Sequence, residues 1–285
     1  MPSLSDLLWG VLLPSVLGLG AGLIAARRGQ GPRWRDALAL VIATAGPLIA
    51  AIMLWSWKGF WPPSIWDRQG LILAAAGLGL AVAALLPRAG QVLGTAVIAA
   101  LALVPLALRS GAWGILIPAA LATALLALTL RQRAEAERGS LLAVLSVIVA
   151  WGSLVAGGFI ALSAARQGQT AGMLVATVGG AAAVALLRGQ VPSGLIAWAG
   201  IGLAMLLAHN HAYGDQARLG ATLCLGLAPL ALLIEPLIPA TRRRLRMVLP
   251  AVLVLTITAI GVAVAQHRPA TADTPATKSK FDVTY

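Results

Sequence analysis

The sequence predicts an all-α, polytopic membrane bundle of about ten helices joined by short loops. Three observations predict it. First, 59% of the 285 residues are hydrophobic and only 11% are charged, where a soluble domain averages about 45–50% apolar and about 25% charged. A chain this apolar, with a mean hydropathy of +0.89, cannot hide its surplus in one water-facing core. Second, the apolar residues fall in continuous runs close to the ~20 residues that cross a bilayer as a helix. They lack the alternation of a barrel strand. Third, the arginines sit in short clusters between those runs, which is how membrane topology is written.

The runs follow in order. The first, 7–26, comes after a start that carries Asp6 and no Lys or Arg, so it reads as a retained helix and not as a cleaved leader. The second, 37–57, ends in WSWKGFWPPSIW (55–66), where Pro62 and Pro63 forbid the helix from continuing. The third is 70–86, the fourth 92–108 and the fifth 112–130. RQRAEAERGS (131–140) mixes both signs of charge and reads as a solvated turn before the sixth run, 141–162. The seventh is 171–187. The eighth, 192–208, and the ninth, 219–234, look weakest because Pro192, Pro229 and Pro236 interrupt or bound them; as one re-entrant pair they would leave eight spans. The tenth is 247–265, and the polar, Pro/Thr-rich stretch 266–285 reads as a disordered tail beyond the 1–265 bundle.

Loops after odd-numbered runs hold Arg27, Arg28, Arg33, Arg35, Arg88, Arg131, Arg133, Arg138, Arg188, Arg242, Arg243, Arg244 and Arg246. Loops after even-numbered runs hold Lys58, Arg68, Arg109, Arg166 and Arg218. The bias puts the first set in the cytoplasm and both termini outside. High Arg over Lys and heavy Ala, Gly and Leu usage suggest the inner membrane of a GC-rich bacterium. The net charge of +12 does not imply nucleic acid, because no basic stripe lies on a soluble face.

The residue inventory excludes several chemistries. Lysine occurs only as Lys58, Lys278 and Lys280, so neither a Schiff-base lysine within a helix nor a GxxxxGK[ST] phosphate loop is present. His209, His211 and His267 are the only histidines, which is a poor basis for bis-His haem, and HExxH is missing. Ser153 has no basic residue near it in sequence to activate it. Cys224 is the sole cysteine, so no internal disulfide forms. No cofactor is expected.

Candidate sites are few. In HNHAYGDQAR (209–218), a loop folding back would bring His209, His211 and Asp215 together as a facial metal site, and the plain alternative is a polar turn at headgroup level. Glu235, in LLIEPLIP, is an ionisable group at the end of an apolar run. It is either a proton-coupling group or an interfacial residue paired with Arg242 or Arg243. Four of nine tryptophans lie in 55–66. Trp57, Trp61 and Trp66 read mainly as an interfacial anchor, and otherwise as a ligand box over the bundle mouth. The 31 glycines include close sets such as Gly18 and Gly22, Gly157 and Gly158, and Gly179 and Gly180, which suit tight helix packing.

AARRGQ (25–30) recurs as AARQGQ (164–169), the spacing of a five-plus-five inverted repeat; 81–92 and 181–191 suggest a different pairing. The apolar run that ends in Glu-Pro before the last helix, over 219–265, resembles drug/metabolite-type exporters, although that class usually starts inside. No residue is carried over from that resemblance. Three functions remain: a small-molecule permease without its own ATPase, a non-catalytic subunit or scaffold with a membrane partner or a second copy of itself, and a membrane enzyme acting on lipid or quinone.

Overall fold

The computed structural model describes residues 4–27, 32–55, 65–110, 113–136, 138–161, 165–213, 228–239 and 241–266. All of the regular structure among them is helical, with no strand. Helix α1 covers Leu4–Ala25. It is followed by α2 (Pro32–Trp55), α3 (Ile65–Leu85), α4 (Arg88–Ser110), α5 (Trp113–Ala136), α6 (Arg138–Ala161), α7 (Ala165–Arg188) and α8 (Ser193–Tyr213). A 3₁₀ helix (Ala228–Leu237) precedes the last helix, α9 (Arg243–Gln266). Seven of these, α1 to α4 and α6 to α8, are long and apolar enough to cross a membrane. The chain is a multi-spanning helix bundle, as the runs predicted.

Local sequence explains the breaks. In α1 a π-type turn at Leu8–Leu12 comes just before Pro14, which has no N–H to give to the turn behind it. After α7, Gly189 takes a positive φ of 72° and its N–H closes on the Ala185 carbonyl at 2.7 Å. That is the left-handed cap glycine adopts without strain. Pro192 then stands just before α8, where a missing N–H costs nothing. The 3₁₀ helix covers the end of the ninth run and extends three residues past it, carrying Pro229 and Pro236; the rest of that run, 219–227, lies outside the described residues.

Helices α1 to α7 form a closed ring in chain order, each packed on the next and α7 packed back on α1. α8 stands inside that ring and packs against six of its seven members, α2 to α7. Its spanning stretch is 83% buried, against 22% for those of α1 and α4, whose outer faces are left to lipid. One of the two runs that looked weakest in sequence is therefore the centre of the fold. α8 is the least hydropathic of the seven spanning helices because it touches protein and not lipid. α9 packs outside the ring, on α6 and the 3₁₀ helix.

Glycines set the closest joints. A Cβ on Gly18 would overlap the Thr177 carbonyl, and one on Gly180 would overlap that of Ser15, so α1 and α7 meet backbone to backbone. A Cβ on Gly202 of α8 would overlap Leu73 of α3 and Leu174 of α7. Gly77 leaves room for the Trp198 indole, whose Nε1–H donates to the Leu73 carbonyl at 2.8 Å.

The inverted repeat is not reflected in the packing. It would equate α1 with α6 and α2 with α7, so the broad α1–α7 contact should have an α2–α6 counterpart. No comparable α2–α6 contact occurs among the described residues. The two similar hexapeptides also differ in setting: 25–27, the described part of the first, closes α1, whereas 165–169 begins α7.

Candidate functional site

Charged and amide groups collect at the two ends of the bundle, and the middle is closely packed around Trp151, Trp198, Leu73 and Leu174, with buried threonines such as Thr44 and Thr177 bonding to carbonyls of their own helices. The arginine-rich end joins the end of α1, the start of α2, the α3–α4 turn, the end of α5 and the start of α9. Arg35 of α2 caps α1 by donating to the Arg27 carbonyl. Gln91 of α4 caps α3 by donating to the carbonyls of Ala84 at 3.1 Å and Leu86 at 3.0 Å. These bonds satisfy carbonyls that a helix end leaves open. The same Gln91 accepts from Arg131, which pairs with Glu135 at 2.9 Å; Arg88 reaches Glu135 at 3.6 Å.

Glu235 belongs to this end and is 3% exposed. Its carboxylate bridges two guanidiniums: Arg133 of α5 at 3.3 Å, and Arg246 of α9. Arg133 also donates to the Leu232 carbonyl at 2.7 Å. The residue expected to meet Arg242 or Arg243 instead meets one arginine a turn further along and another far away in sequence. Arg246 lies on the inward side of α9, whereas Arg242 is exposed. Pairwise sequence proximity could not reveal Arg133. One carboxylate thus ties the 3₁₀ helix to both α5 and α9.

Beside this cluster a cavity of about 560 Å³ opens between α5, α6, α8 and the 3₁₀ helix, with Leu125, Leu130, Trp151, Leu207 and Leu233 on its walls and Arg133 at one end. A second hollow, of about 660 Å³ against α2 and α3, is lined by Trp34, Leu38, Val41, Leu78, Val82 and other apolar groups. Trp34, Leu38, Val41, Leu78 and Val82 are all exposed, which makes it a lipid-facing recess.

The opposite end holds a different set. Gln69, Gln167, Thr170, His209 and Asn210 are all buried. Gln69 lies four residues from Leu73, Gln167 seven from Leu174, and His209 seven from Gly202, counted away from the junction where those three residues meet. Offsets of four and seven keep to one helix face, so the register sets these polar groups along one seam, about 6 to 10 Å beyond the junction. The His209 Nδ1 lies 2.9 Å from the Met205 carbonyl, which can only accept, so Nδ1 carries the proton of that bond. Both amide atoms of Gln69 and both of Gln167 have no hydrogen-bond partner among the described residues. A buried polar group left unpaired costs about 1–3 kcal/mol.

Of the metal constellation suggested by the sequence, only the His209 side chain is among the described residues, and no group of three or more His, Cys, Asp or Glu placed to hold a metal occurs among them. α8 continues as far as Tyr213, so His209 is a buried helical residue and not part of a loop. His211 is also helical, but its side chain and all of Asp215 lie outside the described residues. So do Trp57 and Trp61; Trp66 falls in the first turn of α3 with its side chain not described. Sequence reading missed Gln69, Gln167 and Arg133 as site residues. The signal that could have found the glutamines is an uncharged amide within a few residues of a span's start, on the face that also carries Leu73 or Leu174. Compared with protein-family models, curated proteins and solved structures, the chain matches none.

Proposed function

We propose that this chain is a rigid, non-catalytic membrane subunit that assembles with another membrane helix, either a partner protein's or a second copy's. The position of α8 carries this reading. A helix that fills its own ring and touches six of the surrounding helices leaves the bundle a packed body. Substrate passage by rocking halves calls for two repeats with a site between them, and the contacts here do not divide that way. The α7 surface suggests how assembly occurs. Gly172, Ala176, Gly179 and Ala183 recur along one face of α7, and a Cβ at Gly172 or Gly179 would meet nothing within 4 Å. The other glycines of this helix, Gly168 and Gly180, are already filled by neighbours. A small-residue face open to lipid lets a second helix approach closely, and dispersion then favours association.

The test is the mass of the particle purified in mild detergent. A fixed stoichiometry above one chain is expected, and replacing Gly172 and Gly179 together with Leu should release single chains. A wild-type chain that is monodisperse and alone would sink the proposal. We place the protein in a bacterial cytoplasmic membrane with its arginine-rich end inside, on the strength of the charge bias.

A permease remains the second reading, and one observation favours it: the buried Gln69 and Gln167 amides, towards the end opposite the arginines, have no hydrogen-bond partner among the described residues. Replacing both with Leu separates the readings. A packing role predicts unchanged assembly with equal or higher stability, and a solute site predicts lost uptake.

A further inference from the structure

We propose that the cavity between α5, α6, α8 and the 3₁₀ helix binds one anionic membrane lipid, with a hydrocarbon chain inside and the phosphate on Arg133. This site is independent of the α7 face described above.

The walls set the first half of the ligand. The cavity, about 560 Å³, is lined almost wholly by aliphatic side chains and by Trp151. That size lies in the ordinary range of about 300–1,000 Å³ for ligand pockets. Leu125, Leu230 and Leu233 line it and are 64%, 55% and 60% exposed, so it opens sideways towards the bilayer. A soluble anion would gain nothing from such walls, whereas a lipid chain can enter without crossing water.

Charge sets the other half. Arg133 is the one charged residue on the lining. It shares Glu235 with Arg246, so among the described ion pairs two cations meet one anion and a positive charge is left over. Among the described residues both bonds of Arg133 use Nη1, leaving the rest of its fork for a planar or tetrahedral oxyanion. A neutral helix seated in the cavity would leave that charge uncompensated. Arg133 stands three residues before the end of α5, about 5 Å by helical rise, which sets it at headgroup depth. Thr129, one turn earlier on the same face, also lines the cavity and can donate its hydroxyl to the same headgroup.

Native mass spectrometry from nanodiscs with equal phosphatidylglycerol and phosphatidylcholine of matched chains tests it. The wild type should retain one phosphatidylglycerol per chain with a preference of roughly fivefold, the effect of one basic residue at an anionic surface. Arg133→Gln should retain both lipids equally. Ala122→Phe, which fills the cavity from α5 without touching the ion cluster, should retain neither. Equal retention by the wild type, or unchanged retention in Ala122→Phe, would overturn the proposal. Ala122→Phe decides the matter even if Arg133→Gln does not fold.

Discussion

Glycine has two opposite roles in this chain, and single substitutions tell them apart. At Gly18 the space a methyl would need is taken by the Thr177 carbonyl, a backbone group that cannot swing aside. Gly18→Ala should therefore cost about 1–3 kcal/mol, the range for overpacked cores. At Gly172 the same methyl meets open space. Gly172→Ala should leave the single chain as stable or more so, by up to about 1 kcal/mol, because alanine loses less backbone freedom in a helix. Thermal unfolding of the two variants in one detergent checks both signs. The glycine pairs were legible in the sequence, but their direction was not. Spacing tells which glycines share a face, and only the neighbouring helix tells whether that face is occupied. Glu235 was legible in the same partial way: its charge and depth were plain, and its partner on α5 was about a hundred residues away.

Among the elements, α8 departs most from its sequence. Hydropathy measures how well a segment suits lipid, so it ranks ring helices above the helix they enclose. Gly194, Gly200 and Gly202, which dilute the apolar run of α8, are what let its neighbours come close. Trp198 shows how it is fixed. Trp198→Phe keeps most of the ring's bulk but removes the bond to the Leu73 carbonyl, and should lower stability by about 0.5–1.5 kcal/mol with little change in helix content. The tryptophans that drew notice in sequence were the clustered ones at 55–66; the buried pair, Trp151 and Trp198, stood alone in apolar runs. The helices themselves were read well, because a run of about 20 apolar residues has few other solutions in a membrane. Their order in space was not readable, since adjacency in lipid depends on shape and not on hydropathy.

At the scale of the whole molecule, polar groups define two unlike ends. The arginine-rich end is laced by ion pairs, and of its two doubly paired carboxylates Glu235 is buried while Glu135 is partly exposed. Glu235→Ala would leave Arg133 and Arg246 facing each other, and should cost about 3 kcal/mol. That is the low end for a broken buried pair, because Arg133 keeps some contact with its surroundings. Arg246→Ala leaves Glu235 paired with Arg133 and should cost less; melting curves of both variants give the order. The proposed orientation has its own check. In a Cys224→Ser background, an impermeant thiol reagent on intact cells should label Arg166→Cys and spare Arg244→Cys, both exposed positions at opposite ends. The reverse pattern would invert the topology.

The enclosed helix also imposes an order on synthesis. A ribosome finishes all seven surrounding helices before α8 leaves it, so the ring exists in the membrane for some time without its centre. During that interval the faces of α2 to α7 that will meet α8 can only meet lipid, chaperones or each other. A nascent chain stopped at Arg188 would be a ring around nothing, and such exposed faces are what quality-control proteases recognise. Maturation of this protein is therefore gated late, at the insertion of one helix, and defects in α8 should appear as lost abundance before they appear as lost activity.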